Sequence, residues 1–277
     1  MQARIDKEKI KKILVVRNDN IGDFILTTPA LEALRGAFPD AYIAVLVADY
    51  VKEAVIGNPF VDKVYSYEKA KHSSSGKLSA WLKQWRVLRE IKAERFDLAI
   101  GIRGSFASSQ GWLVYSSKAP IRVGHRPKKS GFMKSRYYNL FVDDPPKRRH
   151  ESDKALDVVR VLGADVEEKR PTLHLSSQDK RQAESFFAEH AIDLKDKAKR
   201  VVCLHLATMP QWYRWWPVDY YVDIANSLME MDGVELVLNW MPSDETYAME
   251  VLKGLKRKPV TYVSTGVKSF AAFLSLT

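Results

Sequence analysis

The chain holds a single cysteine, Cys203, so it can form no internal disulfide and carries no C-x-x-C zinc or redox site. No stretch reaches the roughly 18 consecutive apolar residues of a membrane-spanning helix. The opening MQARIDKEKIKK has no apolar run of the kind a secretory leader needs. Two common phosphate loops are missing as well. Neither G-x-G-x-x-G nor G-x-x-x-x-G-K-[ST] occurs, which excludes the usual dinucleotide fingerprint and the Walker loop. Together these absences predict a reduced, soluble, cytoplasmic protein. Acidic residues are also short, with 34 Asp and Glu against 44 Lys and Arg, leaving a net charge of +10.

What is present is ordinary globular material. Hydrophobic residues make up 46% of 277, too many for a disordered chain and enough for two domains. Much of the positive excess falls in one segment. Between Lys118 and His150 ten cations face only Asp143 and Asp144. Phe132, Tyr137, Tyr138 and Phe141 are interleaved with them. Such a stretch suits a solvated basic loop, a nucleic-acid surface, or a surface for an anionic acceptor or membrane.

The hydropathy pattern alternates strand and helix from the start. Ile13–Val16, Tyr42–Val47, Val61–Tyr65, Leu98–Ile102 and Ile121–Val123 read as buried strands. A turn at Gly22 leads to a helix with Thr28 as cap and Pro29 at its first position. Leu78–Arg95 and Asp153–Leu162 read as further helices, and Lys71–Lys77 as a loop. The charged, proline-containing stretch Asp165–Pro171 marks a boundary, giving domains 1–170 and 171–277. The alternation then restarts: a helix over Lys180–His190, a strand at Val201–His205, a loop to Trp216, and a helix opened by Pro217. Strands at Val234–Leu238 and Val260–Val263 follow, with helices at Asp244–Leu255 and from Ser269. Repeated βα units predict parallel sheets whose ligands sit beyond the carboxyl ends of the strands.

Two such strand ends carry chemistry. The first reads Arg17-Asn-Asp-Asn-Ile-Gly-Asp23, where Asp23 can take a proton from a hydroxyl, or Asp19 or Asp23 can cap a helix. The second is His205-Leu-Ala-Thr-Met-Pro-Gln-Trp-Tyr-Arg-Trp-Trp-Pro217. Its hydroxyl, guanidinium and free backbone N–H groups suit a phosphate-bearing ligand. Trp216 is expected buried at the helix entry, and His205 a packed strand-end histidine.

The opening Ile13–Leu31 stretch, Phe38-Pro39, Asn58-Pro59-x-Val-Asp62, Phe96–Ile100, Arg122-Val-Gly124 and Arg214-x-Trp-Trp-Pro217 together resemble glycosyltransferase family 9, the ADP-heptose:lipopolysaccharide heptosyltransferases. The resemblance runs from Lys11 onward. It implies an α/β chain of GT-B type, with two Rossmann-like doubly wound domains. The acceptor binds the first, and the nucleotide-sugar binds the second. It implies inverting, metal-independent transfer of a heptose or related sugar from an ADP-sugar to a lipopolysaccharide core acceptor, without a cofactor. Asp23 matches the general base, and Thr208 and Arg214 match donor-binding positions. Arg103, Arg126, Lys128, Lys129 and Arg136 are the expected acceptor-binding cations. The implied setting is cytoplasmic, with peripheral contact at the inner membrane and no nucleic acid. Family members also continue into a D-[ST]-G-P-x-H-like segment that grips the donor diphosphate. That segment is absent here, so the second domain is expected to be incomplete. The alternative expectation is a catalytically inactive, shortened member that still binds an anionic acceptor.

Overall fold

A computed structural model describes residues 6–69, 76–127, 134–144, 148–206 and 216–277. They divide into two compact units, Met1–His174 and Leu175–Thr277.

In the first unit six strands form one parallel sheet. They are β1 (Lys12–Val16), β2 (Tyr42–Ala48), β3 (Lys63–Tyr67), β4 (Leu98–Gly101), β5 (Ile121–His125) and β6 (Leu140–Val142). Their spatial order is β3-β2-β1-β4-β5-β6. Chain order therefore reverses between β1 and β4, where Val16 pairs with Gly101. Strand β1 is apolar throughout its last four residues because both faces are covered, and Ile13 to Val16 are fully buried. Leu14 and Val16 join a core with Ile91 of α4 (Lys77–Glu94) and Leu113 of α5 (Ser108–Ser116). By the period of two along a strand, Ile13 and Val15 face the opposite side.

Between β1 and β2 lie α1 (Ile21–Ile25) and α2 (Thr28–Ala37), and α3 (Lys52–Val55) precedes β3. The expected turn at Gly22 is in fact the first turn of α1, because Asn20 and Asp23 form a reciprocal capping box. The 104–120 connection, to which the sequence reading assigned no element, contains α5, and β6 was also missed. β6 is three residues long, and only its Val142 is buried. α6 (Glu151–Arg160) packs on α2, and Gly163 ends the segment at φ +68°.

Two of the sequence landmarks turn out to hold the sheet together. Asp62 Oδ2 accepts the Ile43 amide at 2.7 Å and Arg35 Nη2 at 2.6 Å, pinning the entry to β3 against β2. Asp97 Oδ2 accepts the Lys11 and Lys12 amides, both at 2.9 Å, and does the same for β1 and β4.

In the second unit β7 (Arg200–His205), β8 (Val234–Trp240) and β9 (Val260–Val263) form a parallel sheet in that order. α7 (Ser177–Glu189) opens with a Ser176–Asp179 capping box. α8 (Val218–Met229), α9 (Glu245–Lys253) and α10 (Val267–Leu274) complete the unit. No described helix is long and apolar enough to cross a membrane.

Candidate functional site

The reversal point between β1 and β4 forces two adjacent strands to release their chains in different directions. Ile102 N–H still donates to Val16 O at 3.2 Å, and Gln110 of α5 adds a side-chain bridge between the two exits. Its buried amide Nε2 donates to Val16 O and to Ile102 O, each at 2.9 Å. Sequence reasoning missed Gln110, since a glutamine in an apolar helix gives no pattern of its own.

Arg17, the first residue beyond β1, is only 3% exposed. Its Nη1 donates to Ile102 O at 2.8 Å. Its Nη2 stands 3.4 Å from Asp23 Oδ1, and its Nε stands 3.6 Å from Asp19 Oδ2. Burial pushes the guanidinium pKa down from its usual value, while Asp19 and Asp23 favour the charged form. Arginine starts high enough to remain charged. The buried cation thus faces two carboxylates four residues apart, Asp19 in the turn after β1 and Asp23 in α1.

Asp23 is held from two sides. Oδ2 accepts the Asn20 amide at 3.1 Å, and Oδ1 faces Arg17. Its side chain is 33% exposed, so the carboxylate is fixed and still open to solvent. The capping and chemical readings of Asp23 are therefore compatible: one oxygen closes the capping box and the carboxylate stays accessible. Asp19 does not cap. It pairs with Arg103 Nη1 at 2.9 Å, and its backbone carbonyl accepts Tyr50 Oη at 2.7 Å.

These groups line an open pocket of ≈ 330 Å³ formed by Arg17, Asp19, Asn20, Asp23, Arg103, Gly104, Ser105, Glu151 and Lys154. Three cations face three carboxylates. Glu151 and Lys154 reach the pocket from the start of α6 and pair at 2.5 Å. They come 128 and 131 positions after Asp23, which is why the sequence did not connect them. A side chain at Gly104 would collide with both. Arg103 is set in place by buried His125, whose Nε2 donates to the Arg103 carbonyl at 2.7 Å.

Of the expected acceptor-binding cations that lie among the described residues, Arg103 alone joins Asp23 in this pocket. Arg126 follows β5, at the same edge of the sheet, and stacks its guanidinium 4.4 Å over the Phe141 ring. Arg136 precedes β6 and so stands at the opposite, amino-terminal edge, where its carbonyl faces Arg122 Nη2 at 3.4 Å. Lys128, Lys129, Thr208 and Arg214 lie outside the described residues, as do Phe132 and residues 71–75 of the loop expected over Lys71–Lys77, whose last residue instead begins α4. Among the described residues of the basic segment, the aromatics do not share one surface. Tyr138 is buried, its ring packed on the glycines at 101 and 124.

In the second unit three strand ends converge. Asn239 is fully buried, and its Nδ2 donates to Tyr262 O and to Ser264 Oγ, each at 2.7 Å. A carbonyl can only accept, so the amide orientation is fixed and Oδ1 faces His205 Nδ1 at 2.6 Å. His205 Nδ1 is therefore the protonated nitrogen, and its ring lies 4.9 Å from Phe270. Trp216 is 43% exposed, against the expectation that it is buried, and packs edge-on to Tyr220 and Tyr221. Pro217 takes the cap position ahead of Val218 and not the first helical one.

The profile of glycosyltransferase family 9 (heptosyltransferase) matches residues 84–275. Lipopolysaccharide heptosyltransferase 3 of Escherichia coli is 22% identical over 242 residues, covering 87% of this chain and 67% of that protein. Among solved structures, the glycosyl transferase family 9 protein of Veillonella parvula superposes with a TM-score of 0.81 at 22% identity. It covers 99% of this chain and 75% of its own. E. coli heptosyltransferase WaaC, solved with ADP-2-deoxy-2-fluoro heptose, gives a TM-score of 0.68 at 18% identity. That match covers 95% of this chain and 80% of WaaC.

Proposed function

The chain belongs to glycosyltransferase family 9, and from that membership we propose that it transfers a heptose or related sugar from an ADP-sugar to a lipopolysaccharide core acceptor, with inversion. The observation that carries the reading is the state of Asp23. It is a partly exposed carboxylate at the sheet's reversal point, held in place by the Arg17 guanidinium and the Asn20 amide. Binding sites of open α/β sheets form at this position.

An acceptor hydroxyl in the pocket gives its proton to Asp23 as its oxygen bonds to the anomeric carbon. The bond to the diphosphate breaks on the opposite face, and ADP leaves with the electron pair. A positioned base of this kind contributes about 10²–10⁴-fold. The anomeric centre passes through oxocarbenium-like character, so one base on the attacking side suffices. The leaving diphosphate gathers negative charge and is met by hydrogen-bond donors and cations. Thr208 and Arg214 are the residues assigned to it by resemblance. The ADP-heptose analogue in the WaaC structure supports an ADP-sugar donor.

Arg103 and Lys154 offer cations to a phosphorylated core, Arg126 stands at the same sheet edge, and Lys128 and Lys129 are assigned the same role by resemblance; Arg136, at the opposite edge, has no part in it. Such an acceptor is anchored in a bilayer, so the protein works in the cytoplasm at the inner membrane's cytoplasmic face. The test is ADP release and product mass from ADP-heptose and a core acceptor, with Asp23→Asn alongside. Transfer by the wild type and its near-loss in the variant are expected. Equal rates in the two proteins overturn the base assignment. Donor binding without any turnover overturns the transferase reading.

A further inference from the structure

Helix α4 has two apolar faces, and the first unit's core uses only one. Ala80 and Ile91 are buried, and Val87 and Leu88 pack against the core. A second stripe, Leu78, Trp81, Leu82 and Trp85, follows the i, i+3, i+4, i+7 spacing of a single helix face. These four are 72%, 58%, 51% and 49% exposed. An isolated exposed leucine needs no explanation, but a two-turn stripe with two tryptophans does. The stripe adjoins a groove of ≈ 600 Å³ shared with α5, where Trp112 and Tyr115 form the far wall.

The charges around the groove have one sign. Arg89, Lys92 and Lys118 line it, and no carboxylate does among the described residues. Arg89 lies 4.8 Å over the Trp85 ring, and Lys118 lies 4.3 Å over Tyr115. Arg122, from the basic segment, also reaches Tyr115, at 5.7 Å. Part of the basic segment therefore continues into the aromatic groove. On α4 itself Lys83, Arg86, Arg89 and Lys92 face Glu90 and Glu94, and Glu94 is engaged by Lys12 and Lys63.

We propose that the outward stripe of α4, with Trp112 and its rim of cations, is a docking face that seats its tryptophans at the headgroup–acyl boundary of an anionic lipid bilayer. Tryptophan has a flat apolar body and one polar N–H, which suits that boundary. A helix with leucine and tryptophan on one face and cations beside them lies in the interfacial plane. The lining cations meet anionic headgroups. A second copy of the chain fits less well. A two-fold contact would set this cationic rim against itself. The inference deepens the proposed function and rests on its reading that the acceptor is a membrane lipid.

The experiment is binding of the full chain to vesicles of phosphatidylcholine alone, or mixed with phosphatidylglycerol. Sedimentation and quenching of tryptophan by brominated lipid are the readouts. The wild type is expected to bind the anionic vesicles and to be quenched. Trp81→Ser with Trp85→Ser is expected to lose roughly tenfold or more in affinity while keeping its melting transition. Arg89→Glu with Lys118→Glu is expected to lose the preference for phosphatidylglycerol. Absence of wild-type binding, or unchanged binding in the tryptophan variant, overturns the proposal. So does a lipid-free protein in which Trp81 and Trp85 are shielded from acrylamide, or a dimer that the variant dissociates. Transfer to a delipidated core oligosaccharide separates the two readings. Vesicle binding without such transfer leaves the docking face standing and removes the function. Transfer without vesicle binding does the reverse.

Discussion

Asp23 Oδ1 stands 3.4 Å from Nη2 of Arg17, a guanidinium almost wholly buried beneath it. The cation is fixed from below by the Ile102 carbonyl, so it holds Asp23 without itself being free to move away. Asp19 and Glu151 line the same pocket.

Replacing Asp23 by Asn removes the proton acceptor and keeps the shape. The expected result is a fall of about 10²–10⁴ in kcat with little change in donor affinity. Loss of the capping carboxylate costs about 1 kcal/mol of stability. Steady-state kinetics and a urea titration on the same variant measure both.

Replacing Arg17 by Met takes the buried partner from Asp23 and leaves Asp19 with Arg103. Asp23 is 33% exposed, so the cost is that of a lost charged hydrogen-bond partner, about 1–3 kcal/mol. The urea midpoint is expected to fall accordingly. A midpoint within error of the wild type contradicts the assigned role of Arg17.

Gly124→Ala tests the seat of Tyr138. A methyl group at 124 would overlap the Tyr138 ring, and one at 101 would meet its hydroxyl. Overpacking of this kind costs about 1–3 kcal/mol. Tyr138→Ala in the same background is expected to remove the clash, so the two changes are strongly non-additive in thermal melts.

The acid limb of stability has identifiable members. Hydrogen bonds from Lys169, Arg160 and Ser176 hold the carboxyls of Asp153, Asp165 and Asp179 below their ordinary value of 3.8. A carboxyl whose pKa is lower folded than unfolded adds stability above the unfolded value. That stability is lost as pH falls through the folded one. These side chains are partly or largely exposed, so solvent screening limits each to roughly 0.2–1 kcal/mol. The urea midpoint is expected to drop below about pH 4, and Asp165→Asn is expected to shrink that drop.

Much of the fold was legible in the chain. The apolar runs at Ile13–Val16 and Tyr42–Val47 gave strands because both faces of a parallel sheet are covered. Asp23 was legible as a site residue because it follows a strand's carboxyl end in a distinctive motif. The short α1 and β6 were not, since neither is long enough to show a period, and α5 was not because its apolar residues form no one-sided stripe. The aromatic residues read as interleaved with cations divided in the structure. Tyr138 went to the core and Arg136 to the far edge of the sheet, because strand order carries residues two positions apart to different surroundings.

The sequence by itself determined the alternating elements, the two α/β blocks and the carboxylate at the end of β1. Each depends on neighbours within a few residues, where hydrophobic period and capping act. Only the tertiary structure decided what surrounds that carboxylate. Arg103, Gln110, Glu151 and Lys154 reach the end of β1 from 80 or more residues away. They do so because β4 pairs beside β1 and α6 closes over the same edge, and no local pattern encodes that adjacency. The unpartnered face of α4 was decided the same way. The helix shows two apolar stripes, and packing against the sheet consumed one and left the tryptophans outside.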